Sequence, residues 1–492
     1  MVRVFIAVFI ALVAVPAAAN EGFDIVLKGG RVVDPETGLD DIRDVGVRGD
    51  RIAAISSAPL TGRRVIDVRG LVVTPGFIDL HQHQQDTGTY RLKVLDGVTT
   101  VLELESGVPD IGRFLDVRRG KNLTNYGATA SHEAARVAAW GLPMPPSMTG
   151  SEAMIADPPE GPVTNEAASR AQLHKILSFL RQELDAGALG VGVGLEYTPG
   201  ATRQEVLELF RLAAEYHRPI YVHLRSAGRI EPGSSIESVG EVIGFAAATG
   251  APLHVVHLNS MCMSQGPDCL EMIAGARASG LDISTEAYPY GAFMTFVNSA
   301  AFSAGWRERF GMDYSDVALP DTGERLTRER FDALHASPEP VLVVGYLNPD
   351  TVVDNTVTHP LVMIASDGIK GHPRNTGSFA RVYARYVRQQ GKLTLLDAVR
   401  KMSLMPAQRL EGATETARRK GRLQSGADAD IVAFDPQRFE DRATYTHSDL
   451  PSVGVRYVLV AGVIVVQDGA VVDGVSPGRP ITADARASTE FQ

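Results

Sequence analysis

Short apolar runs alternate with helical patterns through most of this chain. The runs ALGVGVGL, PIYVHL, PLHVVHL and LVMIASDG are mostly apolar, as strands covered on both faces should be. Between them, TRQEVLELFRLAAEYH begins with Thr202 and Glu205, and LTLLDAVRKM begins with Thr394 and Asp397, at the spacing of a helix capping box. This repetition predicts an α/β fold, a TIM-like (β/α)8 barrel. An open doubly wound sheet is the alternative, but no glycine-rich phosphate loop follows a first strand.

The two ends of the chain share a different pattern. FDIVLKGGRVVD and RRVIDVRGLVV near the start, and ADIVAFD and VRYVLVAGVIVVQDGAVV near the end, are strand-like runs separated by Gly and Asp. We expect a small β-sandwich domain built from both termini, residues 23–72 plus 420–480. The barrel would then span residues 73–419, and a tail would span residues 481–492.

The first residues, MVRVFIAVFIALVAVPAAAN, have the layout of a cleavable secretory signal over residues 1–19. The basic Arg3 precedes an apolar run, and small residues lead to Ala19, near which we expect cleavage. Because the run is shorter than the ~20 residues that cross a bilayer, we expect no stable membrane span after cleavage. An uncleaved anchor is the alternative. The expected location is the periplasm of a bacterium or the secreted fraction.

Composition narrows the range of partners. A net charge of -10 and a pI near 5.7 provide no basic face for phosphates, so we expect no nucleic-acid partner. The two cysteines, Cys262 and Cys269, either form a disulfide that closes a small loop or are unrelated thiols. The sequence leaves the oligomeric state open.

Polar residues stand where the apolar runs end. His81 and His83 follow VVTPGFIDL, and because strand side chains alternate, both imidazoles can reach one metal ion. Three further runs end in the same way, at His223, His257 and Asp367. The carboxyl ends of barrel strands form one rim, so we expect these residues to converge there. His254, which precedes His257 in the same run, is assigned a structural role.

The chain contains a set of short motifs: GFIDLHQH, DGVTTV, GALGVGVGLEYTPG, IYVHLRS, VVHL, EAYPY, SDG with HPR, and GRLQSGADADIVAFD. As a set they resemble the amidohydrolase superfamily, and specifically its D-aminoacylase (N-acyl-D-amino-acid deacylase) group, from about Phe23 to Gly469. The resemblance implies a barrel with a flanking β-domain and two metal positions. His81, His83 and Asp367 would hold one metal ion, and His223 and His257 the other.

The residue that would join the two metal positions departs from the family pattern. Many relatives use a carboxylated lysine from the fourth strand, but GALGVGVGLEY contains none. D-aminoacylases use a cysteine after the second strand, where this chain has Ser106. Glu103 and Glu105 share a face of that strand, and a charge in an apolar strand is costly unless it is paired or coordinated. We expect Glu105, nearer the rim, to be the ligand, with Glu103 as the alternative.

The expected ligands are all nitrogen or oxygen donors, which suits one or two Zn²⁺ ions and also fits Mn²⁺, Fe²⁺ or Co²⁺. Such an ion lowers the pKa of a water molecule towards ~7 and polarises a carbonyl. Asp367 is the expected catalytic residue, accepting the water proton and passing it to the leaving nitrogen. A role for Asp367 as a ligand only is the alternative.

Residues for substrate binding follow from the resemblance. Tyr288 matches a tyrosine that hydrogen-bonds the scissile carbonyl, and Arg374 matches an arginine that binds a carboxylate through paired hydrogen bonds. Arg225, Asn259 and Tyr197 are further candidates for substrate contacts. For each arginine, a structural ion pair is the alternative.

Two usual carboxylate contacts are missing, because Asn259 stands where the family has a lysine and Met294 where it has a serine. Lys370 and His372 are candidates to compensate. With Glu105 as a ligand, the pattern is similar to the branch of N-acyl-D-glutamate deacylases.

The sequence therefore predicts a metal-dependent hydrolase that cleaves the amide bond of N-acyl-D-amino acids or related small acylated amines. A cyclic amide or lactone hydrolase, similar to dihydroorotase, is the alternative with the same ligands. A non-catalytic binding protein on the same scaffold is the third hypothesis, and we expect such a protein to lose ligands that this chain keeps.

Overall fold

The computed structural model describes residues 22–144 and 161–485. The secretory signal expected at residues 1–19 and the end of the expected tail lie outside the described residues. The strands are β1 Phe23–Asp34, β2 Leu39–Arg48, β3 Arg51–Ser56, β4 Gly62–Asp67, β5 Val72–Pro75, β6 Phe77–Asp79, β7 Val98–Val108, β8 Asn125–Ser131, β9 Val191–Gly194, β10 Ile220–His223, β11 Leu253–Val255, β12 Ile283–Ala287, β13 Ala292–Phe296, β14 Val317–Ala318, β15 Leu342–Tyr346, β16 Val362–Ile364, β17 Ile431–Phe434, β18 Val455–Val460, β19 Val463–Gln467 and β20 Ala470–Val471.

The α-helices of the described residues are α1 Thr87–Leu95, α2 Ile111–Arg118, α3 His132–Ala139, α4 Pro162–Asn165, α5 Arg170–Asp185, α6 Arg203–Tyr216, α7 Ser235–Thr249, α8 Leu258–Cys262, α9 Gly266–Ala278, α10 Trp306–Phe310, α11 Arg328–His335, α12 Asp350–Thr358, α13 Arg374–Arg381, α14 Leu395–Val399 and α15 Met405–Leu410. Two π-helical segments follow α13 and α14, at Val382–Gln389 and Arg400–Leu404.

An eight-stranded parallel sheet forms the centre of the molecule, in the order β16-β12-β11-β10-β9-β8-β7-β6. Its two end strands meet just beyond their carboxyl ends. The backbone N–H of Gly368 donates to the carbonyl of His81 (3.2 Å), and that of His83 donates to the carbonyl of Gly368 (2.9 Å). The predicted (β/α)8 barrel is confirmed, and its closure places the segment after β6 beside the segment after β16.

Helix α6 shows how the local sequence is used. The side chain of Thr202 accepts a hydrogen bond from the backbone N–H of Glu205, as expected of an N-cap. Val206, Leu209 and Phe210 are buried on one face of the helix. The carboxylate of Glu205, however, does not complete the capping box in the structure. It turns into the interior between α3 and α6, where a buried arginine holds it.

A nine-stranded sheet combines the two ends of the chain in the order β20-β19-β18-β17-β5-β1-β2-β3, with β4 paired to β1. Strand β17 pairs antiparallel with β5, which joins the amino-terminal strands to the carboxyl-terminal ones. The additional β-domain is thus confirmed, while its exact sequence boundaries stay a prediction. Part of the expected tail packs on the barrel, because the N–H of Ile481 donates to the carbonyl of Tyr126 (2.7 Å).

A small antiparallel sheet, β13-β15-β14, is formed by the part of the sequence between barrel strands β12 and β16. It was not expected from the sequence. It has an apolar core of its own, formed by Val297, Phe302, Trp306, Met312, Val317, Leu326, Phe331 and Val343. We call residues 292–346 the insert. Strand β12 ends at the rim, and helix α12 carries the chain from the end of the insert to the start of β16. The insert therefore begins and ends at the same edge of the barrel as the expected metal ligands.

Cys262 and Cys269 form a disulfide, which decides between the two alternatives that the sequence left open. The bond joins α8 to α9, shortly after His257. Across residues 22–144 and 161–485, none of the helices has the length and apolar character needed to span a membrane.

Candidate metal centre

The six expected ligands meet at the rim of the barrel, and all are buried. Their donor atoms form two groups that share Glu105, with every atom of a group within 4.8 Å of the others. The first group is His81, His83, Glu105 and Asp367, and the second is Glu105, His223 and His257. Residues from β7, β10 and the segments after β6, β11 and β16 are therefore brought together by the barrel, as strand ends of a parallel barrel should be.

The first group is built around the two histidines that follow β6. Nε2 of His81 lies 2.7 Å from Oε2 of Glu105 and 3.1 Å from Nε2 of His83. Oδ1 of Asp367 lies 3.1 Å from Nε2 of His83 and 3.5 Å from Nε2 of His81. Two imidazole nitrogens and two carboxylate oxygens thus face one small space.

The second group uses the other oxygen of the same glutamate. Oε1 of Glu105 lies 2.6 Å from Nδ1 of His223 and 3.0 Å from Nε2 of His257. Since Oε2 faces the first group, Glu105 stands between the two groups with one oxygen towards each. This is the arrangement of a carboxylate that joins two metal positions.

Glu103 has a different place. Its Oε2 lies 2.8 Å from Nδ1 of His83, and its Oε1 accepts from the backbone N–H of Ser106 (3.1 Å). Strand β9, which offers no lysine, leaves room for Glu105 instead. A Cβ atom at Gly192 would lie 2.2 Å from the backbone carbonyl oxygen of Glu105, so only glycine permits this approach.

The outer nitrogen of each histidine also has a partner. Nδ1 of His81 lies 2.6 Å from Oε1 of Glu286, and Nε2 of His223 lies 3.1 Å from Oε2 of Glu196. Glu103 serves His83 in the same way, and the hydroxyl of Ser260 lies 3.1 Å from Nδ1 of His257. Metal-binding histidines almost always have such partners, which fix the ring and its tautomer. This second set of contacts shows that the cluster fits a divalent metal ion.

Charge in the cluster is balanced by imidazoles. Burial raises the pKa of Glu105, but His81 and His257 outweigh burial and hold that pKa well below its usual value. Burial lowers the pKa of His223, but hydrogen bonds with Glu105 and Glu196 outweigh burial and raise that pKa to about 10. Buried carboxylates of this kind need positive charge nearby. When a metal ion binds, the imidazoles release their protons and the ion supplies the positive charge instead.

Asp367 is the one carboxylate of the cluster that also contacts a permanent cation. Its Oδ2 lies 2.8 Å from Nη1 of Arg374, and both side chains are buried. Burial raises the pKa of Asp367, but Arg374 and His81 outweigh burial and lower it. Asp367 is therefore ionised, with Oδ1 towards the histidines. Arg374, expected at a substrate carboxylate, holds Asp367, which is the structural ion pair left open for it.

Two of the expected ligands have a strained backbone. His257 (φ 26°) and Asp367 (φ 49°) both adopt left-handed conformations that non-glycine residues rarely adopt. Strain of this kind clusters at functional sites, where the surrounding structure enforces it.

Beside Asp367, the hydroxyl of Ser366 donates to Asp79 (2.6 Å), and Lys93 donates to the same carboxylate (2.7 Å). This buried network fixes the segments after β6 and β16 to each other.

A cavity opens directly onto the metal cluster. His83, Glu105, His223, His257 and Asp367 form its floor. Residues of the insert form much of its wall: Phe293, Met294, Thr295, Phe296, Ala301, Phe310 and Leu342. Tyr197 also lines the cavity, with its ring 4.7 Å from that of His223. Tyr288 is buried nearby, and its ring lies under the guanidinium of Arg374 (4.7 Å).

Some expected substrate contacts are corrected by the structure. Arg225 is held by Glu241 (2.9 Å) and by the carbonyl of Ala201 (2.9 Å), which is the ion pair that the sequence left open for it. The amide of Asn259 donates to the carbonyl of Tyr288 (3.2 Å) and is not among the described residues that line the cavity.

The two residues expected to compensate for the missing contacts are not among the described residues that line the cavity. Nε2 of His372 lies 3.1 Å from the carbonyl of Ala292, and its Nδ1 accepts from the backbone N–H of Arg374 (3.1 Å). Both nitrogens of His372 are thus used by the backbone. Lys370 is exposed and is not among the described lining residues.

Sequence reasoning missed three side chains next to the ligands, namely Glu286, Glu196 and Ser260. Glu286 lies within β12, and Glu196 lies two residues after the end of β9. A charge inside or just after an apolar barrel strand was the signal used for Glu105, and it applied to both. His254, assigned a structural role, lies 3.1 Å from Oε2 of Glu286, which places it behind His81 and away from the cavity.

A cluster of imidazoles and carboxylates with supported outer nitrogens, buried at the rim of a (β/α)8 barrel, is the arrangement of a metal-dependent hydrolase. The model of the Amidohydrolase family matches residues 64–466, and the chain belongs to this family. The hypothesis of a non-catalytic binding protein is therefore wrong.

Three similar proteins each match nearly the whole chain. N-acyl-D-glutamate deacylase from Alcaligenes xylosoxydans xylosoxydans is 30% identical, covering 95% of this chain and 98% of that protein. D-aminoacylase from the same organism is 28% identical, covering 92% of this chain and 96% of that one. The crystal structure of N-acyl-D-glutamate deacylase from Bordetella bronchiseptica, complexed with zinc and a phosphonate inhibitor, is 27% identical with a TM-score of 0.77, covering 94% of this chain and 100% of that chain.

Proposed function

We propose that this protein is a deacylase that hydrolyses the amide bond of N-acyl-D-amino acids, or of related small acylated amines, to a carboxylate and an amine. The main support is the position of Glu105, which presents one oxygen to each of two histidine groups at the floor of a cavity. Similarity to curated deacylases over nearly the full length supports the same substrate class.

His81, His83, Glu105 and Asp367 would hold one divalent ion, and Glu105, His223 and His257 a second one. Zinc is our proposal for the ion, since the donors are all nitrogen and oxygen. When bound, such an ion lowers the pKa of water and polarises a carbonyl oxygen. Glu103, Glu286 and Glu196 keep the imidazoles oriented, each with a carboxylate oxygen 2.6 to 3.1 Å from an outer nitrogen.

Asp367 is the proposed general base. Its Oδ1 faces the histidines, so it accepts the proton of the attacking water and returns it to the leaving nitrogen. Arg374 keeps the opposite oxygen in place at 2.8 Å, which fixes the direction of the carboxylate. Tyr197 lines the cavity and Tyr288 is buried beside it. Both are proposed contacts for the substrate.

We also propose that the protein acts in the periplasm or outside the cell. Its first residues have the pattern of a secretory signal, and disulfides persist in oxidising compartments. Fractionation of a cell that expresses the full chain tests this, with a cytoplasmic marker as the control. Recovery in the cytoplasm with its first residues intact would contradict it.

Hydrolysis assays test the activity. The purified zinc-loaded protein is given N-acetyl-D-amino acids, their L-forms, cyclic imides and lactones, and release of the free amine or acid is measured. We expect turnover of at least one N-acyl-D-amino acid. Turnover of cyclic imides or lactones alone would favour the dihydroorotase-like alternative and overturn our proposal.

A further inference from the structure

Glu196, a residue of the cavity wall, has one carboxylate oxygen without a hydrogen-bond partner among the described residues. It follows β9, is 9% exposed, and lines the cavity above the metal cluster. Its Oε2 lies 3.1 Å from Nε2 of His223. Its Oε1 is buried and has no hydrogen-bond partner among the described residues.

The other two carboxylates that support histidines differ in this respect. Glu286 uses one oxygen for His81 and the other for His254 (3.1 Å). Glu103 uses one oxygen for His83 and the other for the N–H of Ser106. Supporting an imidazole therefore does not by itself leave an oxygen unused. Glu196 is the one of the three that lines the cavity, and it is the one with an oxygen to spare.

A buried carboxylate oxygen without a donor is costly, and a bound molecule with an N–H group removes that cost. The described residues around the cavity include no lysine or arginine that could supply the donor. The part of the wall that the insert forms is largely apolar, with Phe293, Met294 and Phe310. A polar group of a substrate bound in this cavity can supply that donor.

We propose that Glu196 determines specificity by accepting a hydrogen bond from a carboxamide or ammonium group of the substrate, and that it disfavours a carboxylate at that position. This inference rests on the proposed deacylase function. It predicts poor turnover of substrates that carry a carboxylate at that position, although one similar protein is named for D-glutamate.

Two pairs of nearly isosteric substrates test the proposal. N-acetyl-D-glutamine and N-acetyl-D-glutamate differ in the amino-acid part, and N-succinamoyl-D-leucine and N-succinyl-D-leucine differ in the acyl part. In at least one pair we expect kcat/KM for the carboxamide to exceed that for the carboxylate by about 10- to 100-fold, the size of a charged hydrogen bond. Each ratio is measured on one enzyme sample, so its metal content cancels.

Glu196→Gln is the matching variant. Its amide oxygen can still accept from His223, while its NH₂ group replaces the free oxygen and donates to the substrate. We expect the carboxamide preference to fall at least about 10-fold. Glu241→Gln is the control, because Glu241 is equally buried but pairs with Arg225 outside the described cavity wall, and it should keep the wild-type ratio.

The outcomes are distinct. If the wild type hydrolyses neither N-acetyl-D-leucine nor any of the four substrates, the proposed function itself is contradicted. Turnover with no carboxamide preference in either pair of the wild type would overturn the role of Glu196 alone. A preference that survives in Glu196→Gln would do the same. If that variant does not fold, the wild-type ratios still decide.

Discussion

Two buried glutamates of this protein have similar surroundings and different roles. Glu105 is 3% exposed, and among the described residues its carboxylate pairs with histidines alone: His81, His83, His223 and His257, at 2.6 to 3.1 Å. Glu205, 1% exposed, contacts His132 (2.8 Å) and both its oxygens face Nη1 of Arg136 (2.6 and 2.7 Å). The first stands at the rim of the barrel, and the second between helices α3 and α6.

The difference lies in the cation. An arginine stays protonated in a protein, so Glu205 is neutralised permanently and nothing else needs to bind there. Imidazoles can lose their protons, so the positive charge around Glu105 can be exchanged for a metal ion. Burial raises the pKa of Glu205, and His132 and Arg136 lower it below its usual value. A buried carboxylate among histidines alone is therefore a better sign of a metal site than a buried ion pair.

Asp367 combines both situations and gives the largest expected effect. One of its oxygens faces the histidines and the other faces Arg374. Asp367→Asn removes the proton acceptor but keeps a similar shape. We expect kcat/KM on an N-acyl-D-amino acid to fall by about 10²- to 10⁴-fold, the usual contribution of a general base. Zinc content is measured in the same sample, and an active variant would contradict the proposed mechanism.

Exchanging the two glutamates for glutamine tests the comparison directly. Glu105→Gln should lower zinc affinity at least about 100-fold, because changes of mere supporting residues already cost 10- to 100-fold. Glu205→Gln should bind zinc as the wild type does. The measurement is competition with a chelator of known affinity.

Thermal unfolding gives an independent reading of the same pair. Ligands that bind only the folded state stabilise it, so a chelator should lower the Tm of the wild type and of Glu205→Gln. The Tm of Glu105→Gln should respond less, because weaker zinc binding stabilises the folded state less. Equal zinc affinity in both variants would show that the histidine-only environment of Glu105 has no special meaning.

The smallest expected effect concerns stability and pH. Glu205→Gln leaves Arg136 buried without its carboxylate, and we expect a loss of about 2 kcal/mol of unfolding free energy at neutral pH. The folded-state pKa of Glu205 is below its ordinary value of 4.5, so its stabilisation is complete above that pH and is lost as the pH falls through the lower, folded-state pKa. The difference between wild type and variant should thus shrink in acid. Urea unfolding at several pH values measures it, and a constant difference would contradict the ion pair.

Much of the barrel and the cluster could be predicted from local patterns. Short apolar runs predicted the strands, and the alternation of strand side chains predicted that His81 and His83 face one space. Polar residues at the ends of other runs added His223, His257 and Asp367. These predictions succeed because a parallel barrel brings all carboxyl strand ends to one rim.

Other features depend on contacts between distant residues. Arg225 and Asn259 lie next to candidate ligands in the sequence, yet Glu241 and a backbone carbonyl take up their donors. The contact of Glu286 with His81 (2.6 Å) was not expected, because 205 residues of sequence separate the two. The insert that forms the apolar wall has no pattern that reveals its position over the metal cluster.

The sequence by itself determined the barrel, the residue types of the metal cluster and the strands that present them, because strand and helix periodicity are local properties. Only the tertiary structure decided that Glu105 stands between the histidine groups, that Glu103 supports His83, and that one oxygen of Glu196 has no hydrogen-bond partner among the described residues. The reason is physical: each of these roles depends on which distant side chain fills the remaining hydrogen-bonding positions, and that is fixed only when the strands pack.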